Sequence, residues 1–219
     1  KHPKQFIDVL GTGKTLIQQT FDRLNKMCPS ENIYIVTNAI YEDLVLKQLP
    51  VDRNQVLCEP SMKNTAPCIA YAAFKIHQKD PNALMIVAPS DHLILDEEGF
   101  LKKLNKSLDA VISDDILITL GIQPSRPDTG YGYIQFSNNQ LESDSEIKKV
   151  SRFTEKPNQE LAEEFLLSGD FLWNSGIFIW STKSIINRLK TDLSDLYDSF
   201  TKGQHLLNSE KEKEFINAI

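Results

Sequence analysis

Six small or apolar residues in a row, Ala83 to Ala88 in the stretch ALMIVAPSDHLI, call for a strand covered on both faces. Strands of that kind belong to sheets with helices packed above and below. The segments around it fit the same plan. NIYIVTN and QVLCE read as strands, and QFIDVL is short, apolar and strand-like. Between them, TLIQQTFDRLNKM carries Ile17, Phe21 and Leu24 at helical spacing, and YEDLVLKQL is a shorter helix. TAPCIAYAAFKIHQK places Pro67 in a first turn after an N-cap at Asn64 or Thr65, with Ile69, Ala73 and Ile76 on a face suited to close packing on a sheet. EEGFLKKLNKSLDAVIS is a helix and ILITLGI a strand. The strand–helix alternation predicts an α/β fold, a mostly parallel mixed sheet with helices on both faces.

After Ile122 the rhythm changes. QPSRPDTGYGYIQF is rich in Pro and Gly and ends in an aromatic strand. IKKVSRFTEKP is a charged strand, NQELAEEFLLSG a helix stopped by Gly169, and FLWNSGIFIW a strand centred on glycine, with helices from Ser184 onward. NSEKEKEF reads as a solvated helix face. With no repeat or linker in view, the reading is a single domain over residues 1–219. Its halves are about 1–122 and 123–219, and it looks cut at both ends, since the chain opens abruptly at Lys1 and stops inside a helical stretch.

Composition excludes several functions. A net charge of −6 argues against a broad nucleic-acid-binding face. The three cysteines, Cys28, Cys58 and Cys68, form no CxxC pair and the four histidines are scattered, so a structural zinc site is not indicated and reduced thiols in a cytoplasmic protein fit best. No apolar run approaches the roughly 20 residues that span a bilayer.

Ligands of open parallel sheets collect beyond the carboxyl ends of the strands. QVLCEP puts Glu59 at that edge, and ALMIVAPSDH puts Asp91 there after Pro89 takes the chain out of the sheet. A lone carboxylate there suits Mg²⁺, which takes one or two carboxylates plus phosphate oxygens; capping of the next turn is the plain alternative. His92 positions Asp91 or simply packs. GTGKT, residues 11 to 15, is no P-loop, because Asp8 stands where that motif needs its first glycine. Lys4 precedes the first apolar segment, where an ammonium could neutralise phosphate charge. In DTGYGYI two glycines flank Tyr131 and allow close backbone approach. In FTEKP, Glu155 can accept from hydroxyls while Lys156 meets a phosphate, and in WNSGIF the amide of Asn174 can both donate and accept.

PKQF, EP then NTAP, PSDH, TGYGYI, FTEKP and WNSGIF, in that order from Pro3 to about Phe200, resemble the mannose-1-phosphate guanylyltransferases. The resemblance implies a Rossmann-like nucleotidyltransferase core. It implies Mg²⁺-dependent transfer from GTP to α-D-mannose 1-phosphate, giving GDP-mannose and pyrophosphate by in-line attack at the α-phosphorus. By the same resemblance, Lys4 touches the triphosphate and Asp91 holds the metal. Glu59 with Asn64, Thr65 and Ala66 shapes the base pocket, while Gly130, Glu155, Lys156 and Asn174 line the sugar phosphate site. The family's Gly/Arg-rich loop before PKQF, its second metal-binding aspartate and its carboxy-terminal β-helix do not occur in this sequence. Those departures keep alternatives in play: a nucleotidyltransferase for another base or sugar, or a non-catalytic nucleotide-sugar-binding subunit. A glycoside hydrolase built on Asp91 and Glu155 leaves the other motifs without a role. Neither a nucleic acid nor a membrane is an expected partner, and a homodimer is one admissible assembly.

Overall fold

The computed structural model describes residues 3–59, 65–140 and 146–219, the side chains of 138–140 excepted. Its strands are β1 (Ile35–Asn38), β2 (Val56–Glu59), β3 (Leu84–Val87), β4 (Ile118–Ile122), β5 (Tyr133–Gln140), β6 (Lys148–Thr154) and β7 (Phe171–Ser181). The α-helices are α1 (Leu16–Leu24), α2 (Glu42–Gln48), α3 (Thr65–Lys79), α4 (Glu97–Ser113), α5 (Gln159–Ser168), α6 (Thr182–Asp192), α7 (Ser194–Gly203) and α8 (Glu212–Ala218). The chain divides into two compact units, 1–118 with 179–219, and 119–178.

In the first unit β1 and β2 pair in parallel, Ile35 opposite Val56 and Asn38 opposite Glu59. Parallel neighbours need a crossover, and α2 supplies it. Its Val45 is fully buried in a cluster with Phe6, Ile17, Phe21, Ile33, Leu49 and Val56. Ile17 and Phe21, one helical turn apart on α1, sit there as their spacing requires. The buried Gln55 closes the cluster by donating from Nε2 to the Ser30 and Ile33 carbonyls at 2.7 and 2.8 Å. The alanine-rich face of α3 is buried at Ala70 and Ala73, and Phe74 stacks on Phe200 of α7 with ring centroids 5.3 Å apart. β3 is followed at once by the Pro89–Ser90–Asp91 exit, and α4 begins at the Asp96 cap, whose Oδ1 accepts from the Gly99 amide.

Two expectations change in this unit. QFIDVL is no strand: after Pro3 the chain makes a single 3₁₀ turn over Lys4–Phe6. Only Phe6 is buried, while Ile7, Val9 and Leu10 lie exposed. The cause is Asp8, whose carboxylate accepts from the backbone N–H of Thr12 and of Gly13 at 3.1 and 2.7 Å and winds the chain into a loop with Gly11 and Gly13 at φ 67° and 80°. In a P-loop such amides face a phosphate; here an internal carboxylate takes them. NSEKEKEF is not merely a wet face either. Glu212 accepts from Lys75 Nζ at 2.6 Å on each oxygen, from the Tyr71 hydroxyl, and from the Asn208 amide at 2.7 Å.

In the second unit β5 pairs antiparallel with β6 and with β7, and β4 also joins β7. The α/β order thus holds, with parallel pairing at β1–β2 and antiparallel pairing around β5. The short connection from β5 to β6 permits only the antiparallel arrangement of that pair. Along β7 burial alternates: Phe171, Trp173, Ser175 and Ile177 point inward, and Leu172, Asn174 and Gly176 toward the more open face. Tyr133, Ala162, Phe165, Phe171 and Trp173 form this unit's core. Gly169, at φ 74°, ends α5 in the left-handed conformation.

Candidate active site

In the first unit, Pro89 breaks the sheet after β3 and Asp91 emerges beside Lys4, with Nζ 4.0 Å from Oδ2. Both side chains stay open, Asp91 40% and Lys4 74% exposed, so the pair is a loose contact that a ligand can enter. His92 is half-buried. Burial pushes its imidazole below the usual pKa, Asp91 opposes this, and Arg23 and Lys4 add to the downward shift. Behind it lies Arg23, a buried guanidinium over the Phe100 ring at 5.8 Å. Burial lowers the Arg23 pKa against the pull of Glu97. A buried arginine here had no local signal, since its place on α1 reads as ordinary amphipathic helix.

Glu59 is the last residue of β2, and its Oε2 accepts from the Cys68 thiol at 2.9 Å. Thr65 and Ala66 open α3, the helix that carries Cys68. Asn64 lies outside the described residues.

In the second unit the loop before β5 is tied down by one carboxylate. Asp128 accepts from the Gly130 amide at 2.8 Å and from Arg126 at 2.6 Å. The Gly130 amide and then the Arg126 guanidinium hold the Asp128 carboxyl below the usual range. The backbone of Asp128 exchanges hydrogen bonds with the buried Tyr133 hydroxyl, both at 3.0 Å. The N–H of Gly130 is therefore spent on the loop itself. Gly132 makes the close approach: a Cβ there would stand 2.8 Å from Glu155 Oε2 and 3.6 Å from Asn174 Cβ. Its carbonyl accepts from the backbone N–H of Asn174 at 2.8 Å. The two glycines around Tyr131 were the signal for this, but the sequence does not say which of them does the work. Tyr131 turns to the other face, where its ring meets Trp173 at 5.0 Å and 49°.

Glu155 and Lys156 contact each other at 3.3 Å and are largely exposed. Lys156 has φ 39°, an uncommon conformation for a residue with a side chain and one that recurs at ligand-binding sites. Asn174 Oδ1 accepts from Gly176 N at 3.0 Å, which orients the amide so that its nitrogen can donate to a ligand. The structure thus gathers Gly132, Glu155, Lys156 and Asn174 on the second unit, and Lys4 with Asp91 on the first.

Among the described residues no three His, Cys, Asp or Glu side chains gather as a metal cluster. A divalent cation would rest on one protein carboxylate plus phosphate oxygens, and the open, monodentate-capable Asp91 fits that donor set. Among the same residues no helix is long and apolar enough to cross a membrane.

An α/β nucleotidyltransferase fold, with carboxylate and lysine groups beyond the ends of β3 and β6 and an amide on β7, defines the class. The sequence matches the nucleotidyl transferase family over residues 1–215, and the chain belongs to that family. It is 36% identical over 195 residues to a mannose-1-phosphate guanylyltransferase of Salmonella montevideo, covering 86% of this chain and 40% of that protein. With the mannose-1-phosphate guanylyltransferase of Escherichia coli (strain K12) it is 35% identical over 208 residues, 92% of this chain and 43% of the relative. The chain therefore spans about two-fifths of the length of these curated relatives. Among solved structures it matches a Thermus thermophilus protein described as a mannose-1-phosphate geranyltransferase. The TM-score is 0.84 at 25% identity, over 99% of this chain and 61% of that one.

Proposed function

We propose that this chain is the transferase portion of an enzyme that moves a guanylyl group from GTP to α-D-mannose 1-phosphate, yielding GDP-mannose and pyrophosphate. The observation that carries the reading is the open Lys4–Asp91 pair at the end of β3, in a chain about one-third identical to guanylyltransferases over most of its length. An oxygen of the sugar phosphate attacks the α-phosphorus in line; the new P–O bond forms as the bond to the β-phosphate breaks and pyrophosphate departs. No covalent enzyme intermediate is needed, so the residues position the reactants and balance charge.

Lys4 supports the triphosphate. Glu59, with Thr65, Ala66 and Asn64, borders the base. Lys156 meets the phosphate of the sugar phosphate, and Glu155 and Asn174 take its hydroxyls. Gly130 keeps its place in this set through the loop it shapes, and Gly132 joins it. Asp91 is the residue suited to hold Mg²⁺, which when bound withdraws charge from the phosphate oxygens. A cytoplasmic setting matches the three thiols, none of which is in a disulfide.

The test is GDP-mannose formation by the complete protein from GTP and mannose 1-phosphate, with and without Mg²⁺, for wild type and Asp91→Asn. The expected result is metal-dependent product with wild type and at least a hundredfold loss in the folded variant, the order of effect of removing a key electrostatic group. Wild type without product would overturn the reaction; a variant with most of its activity would overturn the role of Asp91.

A further inference from the structure

We propose that Cys68 is a positioning residue for base selection, its thiol fixing the Glu59 carboxylate that reads the guanine edge. The inference rests on the assignment of Glu59 to the base pocket above.

Neighbouring residues on a strand face opposite ways. Cys58 packs on the first unit's core cluster, so Glu59 faces the other side of β2. There the first turn of α3 brings the Cys68 thiol 2.9 Å from Glu59 Oε2. Cys68 follows Pro67, whose ring fixes the backbone in that turn, so the sulfur is presented from a rigid element. Burial, and then the Glu59 carboxylate, push the Cys68 thiol up to about 12. It therefore stays protonated near neutral pH and serves as a donor to the carboxylate.

A glutamate at a strand end is a flexible lever with several rotatable bonds. One donor on Oε2 selects among its rotamers and leaves acceptor capacity, since a carboxylate has about four lone-pair sites. Guanine shows two adjacent donors on its Watson–Crick edge, N1–H and the 2-amino group, which match the two oxygens of a carboxylate held in one orientation. Adenine shows an acceptor at N1, which faces such a carboxylate with repulsion. Hypoxanthine keeps N1–H and lacks the 2-amino group, so it reports the orientation of the carboxylate directly.

The experiment compares kcat/KM for GTP and for inosine triphosphate in the complete protein, for wild type, Cys68→Ala, Cys68→Ser and Glu59→Gln, each confirmed folded by its thermal melt. Cys68→Ala is expected to reduce the GTP preference about tenfold, equivalent to about 1.4 kcal/mol, and Cys68→Ser to retain it because its hydroxyl also donates. A merely structural cysteine would change the melt and leave the preference where it was. A preference unmoved in Cys68→Ala, or lost equally in the alanine and serine variants, overturns the role of Cys68. If Glu59→Gln also leaves the preference unmoved, the base-pocket assignment of Glu59 fails. If Glu59→Gln alone shifts it, only the thiol's part is lost.

Discussion

Gly132 and Glu155 fit together because one of them has no side chain: a Cβ on Gly132 would stand 2.8 Å from Glu155 Oε2. The obstructing atom is the tip of a long, largely exposed side chain, so relief costs little stability and much position. Gly132→Ala should melt within a few degrees of wild type, a change of about 1 kcal/mol or less. If Glu155 takes the sugar hydroxyls as proposed, the variant's KM for mannose 1-phosphate should rise about tenfold or more, since the proposed acceptor is displaced. Steady-state kinetics with the sugar phosphate varied checks this. An unchanged KM separates Glu155 from the sugar.

Lys75 and Glu212 form a largely buried charged contact at 2.6 Å, their side chains 6% and 12% exposed. Removing one partner strands a buried charge, which costs about 3–5 kcal/mol, while replacing both with apolar groups of similar volume is often near neutral. Lys75→Met should therefore lower the urea midpoint sharply, and Lys75→Met with Glu212→Leu should recover much of the loss. The Tyr71 hydroxyl and the Asn208 amide also give to Glu212, so recovery should stop short of wild type. Equal losses in the single and double variants would mean that burial of the pair contributes nothing specific.

These two relationships show where sequence runs out. α4 is legible to its ends because Asp96 caps it and its apolar residues keep helical period. β3 is legible because six apolar residues end at a proline. Parallel order at β1–β2 follows from the intervening helix. QFIDVL misleads because the hydrogen bonds that undo it run from amides four and five residues on to Asp8, a turn chemistry that hydrophobic pattern does not register. Glu212 looks solvated because its partner lies 137 residues away. At the candidate site, residue types could be picked from the chain near strand ends, but the close approach of Gly132 to Glu155, and the thiol on Glu59, depend on distances that only folding creates.

Lys156 holds a backbone conformation better suited to glycine, with φ 39°. The left-handed region costs a residue with a side chain about 1–2 kcal/mol. Lys156→Gly should relieve this and melt at or above wild type, although glycine's extra freedom in the unfolded chain takes back part of the gain. Lys156→Ala keeps the strain and should not be stabilised. On the proposed role of Lys156, both should raise the KM for mannose 1-phosphate strongly, because the proposed charge-assisted contact to phosphate is lost. Parallel melts and kinetics decide it: an alanine variant as stable as the glycine variant means the backbone there carries no strain, and an unchanged KM removes Lys156 from the sugar site.

The Cys68–Glu59 contact also predicts how stability varies at alkaline pH. In the folded protein the Cys68 thiol is raised from its ordinary value of 9.0 to about 12, so between those values the native state holds a proton that the unfolded chain has released. Stability must then fall as pH rises through that window, the contribution being complete below about 9 and lost toward about 12. Tyr71, raised by burial and by Glu212, adds a loss of the same sign. Cys68→Ala removes one of these contributions, so its melting temperature should decline less steeply than wild type between about pH 8 and about pH 10.5, while Cys28 and Cys58, whose thiols burial also raises, contribute equally in both proteins. Identical slopes for wild type and variant would show that the Cys68 proton is not held by the fold, and would remove the thiol from its place on Glu59.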